Sequence, residues 1–166
     1  MLKKLQKSDS RGFTIIEVMI VLAIAALILL IVLLAVPALQ RNSRNTAIKN
    51  DASAVTAAVS EFSSNNDGQL PTQANSNYAN GVLTLNNGAG TQATGKLQSS
   101  DTVTIQTDGS TGTVTPAAGS LTVTFKTKCP ANVTGTTVTP TANTRSTTVI
   151  YAVETSNGLS AKCIDS

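Results

Sequence analysis

Arg11-Gly12-Phe13-Thr14-Ile15-Ile16-Glu17 runs without a break into the apolar stretch Val18 to Val36, and the fold turns on how this junction is read. A helix rises about 1.5 Å per residue, so residues 14–39 are long enough to cross a hydrocarbon core of about 30 Å with some tilt. Glu17 is the one charged side chain between Phe13 and Leu39. A carboxylate in hydrocarbon is costly, and one kept there marks a functional position whose partner has to be found. Its place in the first helical turn lowers that cost by about 0.3 to 1 kcal/mol through the helix dipole. The bland alternative is a glutamate that protonates or reaches back to the headgroups.

Upstream, residues 1–12 hold four basic side chains, Lys3, Lys4, Lys7 and Arg11, and the single acid Asp9. Positive charge before an apolar span orients it with the N-terminus in the cytoplasm, although Arg41, Arg44 and Lys49 on the far side oppose this bias. The apolar run is too long for a secretory signal and leads to Pro37, Gln40 and Arg41 without a small-residue cleavage site. A single membrane pass with the N-terminus in the cytoplasm is expected from these residues.

The whole chain has twelve basic and nine acidic residues, but after Phe13 the two signs balance at eight each. A nucleic-acid surface built on overall charge is therefore disfavoured. With no histidine and two cysteines, zinc sites and histidine-based catalysis lack their usual groups. No nucleophile elbow, metal spacing or phosphate loop is present, so the reading is of a non-enzyme without cofactor or metal.

Pro37 removes a backbone donor and is expected to kink or loosen the helix, which resumes below it. Ile48, Ala52, Val55, Val59 and Phe62 recur at spacings of four and three, giving residues 40–64 one apolar face to lay on the protein's own sheet. Ser63 to Gly68 end the helix and Pro71 blocks its resumption. Beyond it, residues 65–166 read as an extracytoplasmic β domain. Val82 to Leu85, Val103 to Ile105, Leu121 to Phe125 and Thr148 to Val153 are β-branched runs separated by Gly, Asn, Ser and Thr clusters. Antiparallel pairing is expected, with Asn157-Gly158 turning the last strand back toward Cys163. The fold class is thus α+β: a long N-terminal helix, membrane-spanning in one half and amphipathic in the other, packed on a C-terminal antiparallel sheet.

Cys129 and Cys163 both fall beyond the membrane, where thiols pair, and an even count in a small exported domain favours a disulfide between them. On a regular strand Leu121, Val123, Phe125, Thr127 and Cys129 share one face. Lys126 and Lys128 share the other, and with Lys162 they form a candidate basic patch for a DNA or other acidic surface ligand, or simply a charged edge that deters sheet aggregation. Asp108 to Gly112 is oxygen-rich but holds one carboxylate, too few for a calcium loop. Asn132-Val133-Thr134 fits a glycosylation acceptor pattern.

The basic leader with Lys3 and Lys4, Gly12 followed by Phe13, Glu17 four residues on and the Val18 to Val36 run together resemble the class III signal of type IV pilins. Gly68-Gln69-Leu70-Pro71 and the C-terminal cysteine pair are similar to that family more loosely. The resemblance implies a pilin-like fold, a single-pass precursor in the inner (cytoplasmic) membrane, cleavage between Gly12 and Phe13 by prepilin peptidase, and methylation of the new Phe13 amine. It further implies that Glu17 pairs with Phe13 of a neighbouring subunit while the assembly machinery moves the helix from the membrane into the core of an extracellular homopolymer. Pseudopilins of type II secretion or competence systems share this grammar, and a minor pilin with a DNA-binding role is a further alternative. The family commonly has its helix proline earlier than Pro37, so the resemblance does not fix the position of any segment that melts on assembly.

Overall fold

The computed structural model describes residues 12–98 and 102–166; the leader residues Lys3, Lys4, Lys7 and Arg11 lie outside them. The chain falls into two compact units, one ending at Leu39 and the other spanning Gln40–Ser166. One α-helix, α1 (Ile15–Asn65), contributes to both and carries Pro37 inside it.

In the first unit every described residue is exposed, and leucines such as Leu33 and Leu34 present about three-quarters of their surface. Ile and Val are middling helix formers in water. In lipid the backbone has no outside hydrogen-bond partner, and a helix satisfies it internally. The segment is long and apolar enough to cross a membrane.

In the second unit α1 buries Ile48, Asp51, Ala52, Val55, Ala58, Val59 and Phe62, a stripe at spacings of three and four. It packs over two sheets. The first has the order β1-β2-β3, from β1 (Ser76–Ala79), β2 (Val82–Asn86) and β3 (Thr91–Lys96), all antiparallel. The second has the order β4-β5-β6-β7, from β4 (Thr102–Gln106), β5 (Ser120–Lys128), β6 (Thr141–Thr155) and β7 (Gly158–Asp165). Leu83, Leu85, Leu121, Val123, Phe125, Val149 and Val153 meet the helix stripe in the main core.

The α+β layout expected above holds, with two differences: the strands divide into two sheets where one was expected, and β4 runs parallel to β5, Thr102 opposite Ser120. A parallel pair needs a long crossover rather than a tight turn, and residues 107–119 supply it. That crossover also covers the sheet's other face. Val114 bridges Val138, and both pack with Ile150 and Ala161 into a second small core. Thr122 and Thr124 are buried on this face, which a one-sided sheet would have left in water.

Gly95 shows how closely helix and sheet approach. A Cβ there would stand 3.2 Å from the Ala54 carbonyl oxygen and 3.4 Å from the Ala58 Cβ, against a helix backbone that cannot give locally. Gly95→Val is expected to lose about 1 to 3 kcal/mol through overpacking. Chemical denaturation reads this directly, and a midpoint equal to that of the parent would contradict the packing described.

Candidate functional site

Gly12, Phe13 and Thr14 precede α1 in non-helical backbone, and all are exposed. Nothing lies within 4 Å of where a Gly12 Cβ would be, and Phe13 is 87% exposed, so the peptide between them is open to approach. Gly12 adds no side chain of its own to obstruct it.

Thr14 caps the helix. Its hydroxyl accepts a hydrogen bond from the Glu17 N–H at 3.3 Å, while the Glu17 carboxylate accepts from the Thr14 N–H at 3.0 Å and from the Thr14 hydroxyl at 2.8 Å. The Thr14 carbonyl accepts from the Val18 N–H at 3.3 Å. This reciprocal arrangement is a capping box, which satisfies otherwise orphaned donors at a helix start. Thr-x-x-Glu before an apolar run signals it in the sequence, a signal missed by a reading that gave Glu17 only an outside partner. Both bonds to the carboxylate end on Oε2, so among the described residues Oε1 remains available to a further donor. Glu17 and Phe13 border a groove completed by Val18, Ile20, Val21 and Leu22. A cation arriving there meets a carboxylate already oriented by its own helix.

At the other end of the chain Cys129 and Cys163 form a disulfide with their Cα atoms 5.9 Å apart. Cys163 lies opposite Ile150 in the β6–β7 ladder, and Cys129 follows β5, so the bond joins strands on either side of β6. Asp165 reinforces it, accepting from the Cys129 N–H at 2.7 Å. With the sulfurs bonded to each other, the grouping of Cys129, Cys163 and Asp165 offers no thiolates to a metal.

The three lysines are not arranged as a regular strand would place them. The β5–β6 register shifts between Phe125 and Thr127, and Lys126 sits at that bulge with φ +59°. A bulge breaks side-chain alternation. Lys126 is instead bound to Asp108 at 3.0 Å, and the other Asp108 oxygen accepts from the Gln73 N–H at 2.8 Å. That carboxylate is therefore engaged within the fold. Lys128 and Lys162 remain exposed beside the two bridged cysteines, and Asn132 is exposed in the loop between β5 and β6.

Beyond Leu39, α1 is fastened to β6. Arg44 donates to both oxygens of Glu154 at 2.7 and 2.6 Å. Asn45 imitates a strand partner, donating to the Glu154 carbonyl at 2.8 Å and accepting its N–H at 2.7 Å. Hydrogen bonding from Arg44 holds the Glu154 carboxyl below its usual range, against a smaller opposing effect of burial. A value lowered by folding means stability that is complete above the ordinary carboxylate range and lost as pH falls through the depressed value. Glu154→Gln is expected to flatten the acid limb of a stability-against-pH curve. An unchanged acid limb would contradict this coupling.

Residues 7–33 match the family model of the prokaryotic N-terminal methylation motif. This is the class III signal typical of type IV pilins and pseudopilins, and the helix-on-sheet layout is pilin-like. No curated protein and no solved structure matches the chain.

Proposed function

We propose that this chain is the major structural subunit of a type IV pilus. Prepilin peptidase removes residues 1–12, Phe13 is N-methylated, and residues 13–39 pass from the inner membrane into the core of an extracellular filament that serves adhesion, twitching motility or DNA uptake. The observation that carries the reading is an acid set in a capping box within the matched signal, at the head of an apolar helical segment whose residues as far as Leu39 are all exposed.

The physics of transfer agrees with it. The helix is surrounded by apolar atoms in both membrane and filament, so burial alone favours neither state, and close packing and polar pairing decide. Once Phe13 bears a free amine, the amine and Glu17 each carry a charge that hydrocarbon opposes, and bringing them together between subunits removes both penalties. Pro37 and the polar residues after it mark where the helix loosens as subunits pack.

A pseudopilin has the same Gly12, Phe13 and Glu17, and the length of the polymer separates the two. Electron microscopy of cells labelled with antibody to the β domain is expected to find long surface fibres decorated along their length. Label confined to the envelope would replace the pilus reading with the pseudopilin one.

A further inference from the structure

We infer that two oppositely charged flanks of the β domain dock on each other between neighbouring copies of this chain, side by side. This rests on the homopolymer reading above and names a second contact within it, away from the Phe13–Glu17 pair.

Much of the second unit's charge is engaged internally. Arg44 is held by Glu154 and Lys126 by Asp108, and buried Asp51 accepts from the Gln98 N–H at 2.9 Å. Two groups of mainly one sign stand among the rest. Glu61 and Asp67 lie at the end of α1 with no ion pair among the described residues, and the last turn holds no basic residue. A helix C-terminus carries partial negative charge of its own, so an acid there is poorly placed in the isolated chain. The bases nearest along the chain are distant: Lys49 is about 18 Å from Glu61 at 1.5 Å per helical residue. Lys96 lies beside Ala47, Asn50 and Asp51, also toward the helix start.

On the other flank Lys128 and Lys162 each precede a bridged cysteine. Since the Cys129 and Cys163 Cα atoms are 5.9 Å apart, the two lysine Cα atoms are within about 14 Å, adding one Cα–Cα step of about 3.8 Å on each side. Asp165 is the acid among them, and the Cys129 N–H occupies one of its oxygens. The group is net positive and repels itself.

These two groups sit on different sides of the fold. Asn65 donates to the Gln92 carbonyl and Asn87 to Asn66, which places the acidic end of α1 against the β2–β3 turn. The basic group belongs to β5, β6 and β7. With β1 in contact with β4, the strands run from β3 at one edge to β7 at the other. Each flank is electrostatically unsatisfied alone and complements the opposite flank of a second copy. Such a contact between unlike surfaces does not close on itself and propagates as a filament.

The test uses the full chain in the cells that make it, with sheared filament quantified. Glu61→Lys with Asp67→Lys, and separately Lys128→Glu with Lys162→Glu, are each expected to lower filament yield about fivefold, the factor of about 1 kcal/mol that exposed pairs supply. Combining all four substitutions is expected to restore it. Either double variant assembling like the parent, or a quadruple variant no better than the doubles, would overturn the inference. So would a loss confined to the lysine variant, which would point to an outside acidic ligand such as DNA. The disulfide and protease resistance of the membrane pool report folding. If a reversed variant does not accumulate, Glu61→Gln with Asp67→Asn and Lys128→Gln with Lys162→Gln carry the same expectation of loss, and parental yield from either overturns it. If the parent itself forms no filament, the homopolymer reading has failed and this contact fails with it.

Discussion

Glu17→Ala is expected to leave membrane insertion and removal of the leader intact and to stop fibre formation. The substitution removes a charge from the apolar segment, so insertion becomes easier, and the Gly12–Phe13 peptide keeps its exposure. On the assembly proposed above, what is lost is the partner for the Phe13 amine. Stranding one member of a pair taken out of water costs about 3 to 5 kcal/mol, so fibre yield should fall by about two orders of magnitude or more. Because Glu17 also closes the capping box with Thr14, a second variant is needed. Glu17→Gln keeps an acceptor for the Thr14 N–H and removes the charge. Failure of Gln as well as Ala locates the effect in the charge pair, whereas rescue by Gln would reduce Glu17 to a helix cap and contradict its assembly role.

The second large effect is expected from Cys163→Ser. The disulfide spans a sequence separation of 34 residues, and opening a loop of that size costs about 3 to 4 kcal/mol by freeing the unfolded chain. The second unit has little with which to compensate. Its sheet is rich in threonine, and Phe62 and Phe125 are its only phenylalanines. β7 is an edge strand held by β6 and the disulfide, so residues beyond Cys129 should become protease-sensitive first. Digestion at the parental rate would contradict this. Loss of fibres with the helix and its signal intact would then trace to the β domain.

The helix was legible because its signals are dense: a membrane-length apolar run, then an apolar stripe at spacings of three and four. Strands β2, β4, β5 and β6 were legible from β-branched runs, and the last hairpin from Asn157-Gly158. β1 (Ser76–Ala79) and β3 (Thr91–Lys96) carry no such run, since Ser-Asn-Tyr-Ala and Thr-Gln-Ala-Thr-Gly-Lys depend on pairing with β2 and, at Gly95, on fit to the helix. The parallel β4–β5 pair was not legible, because periodicity gives the faces of a strand and not its direction. The Lys126 bulge is likewise a property of the β5–β6 register. At the candidate site the capping box is also legible, since Thr14 and Glu17 stand at the Thr-x-x-Glu spacing directly before an apolar run.

Mass spectrometry of filaments sheared from native cells tests the central claim most directly. The account predicts a dominant species that begins at N-methylated Phe13 and is lighter than its reduced form by the two hydrogens lost to the Cys129–Cys163 bond. A chain still bearing residues 1–12, or a processed chain found in membranes and absent from sheared fibres, would contradict it.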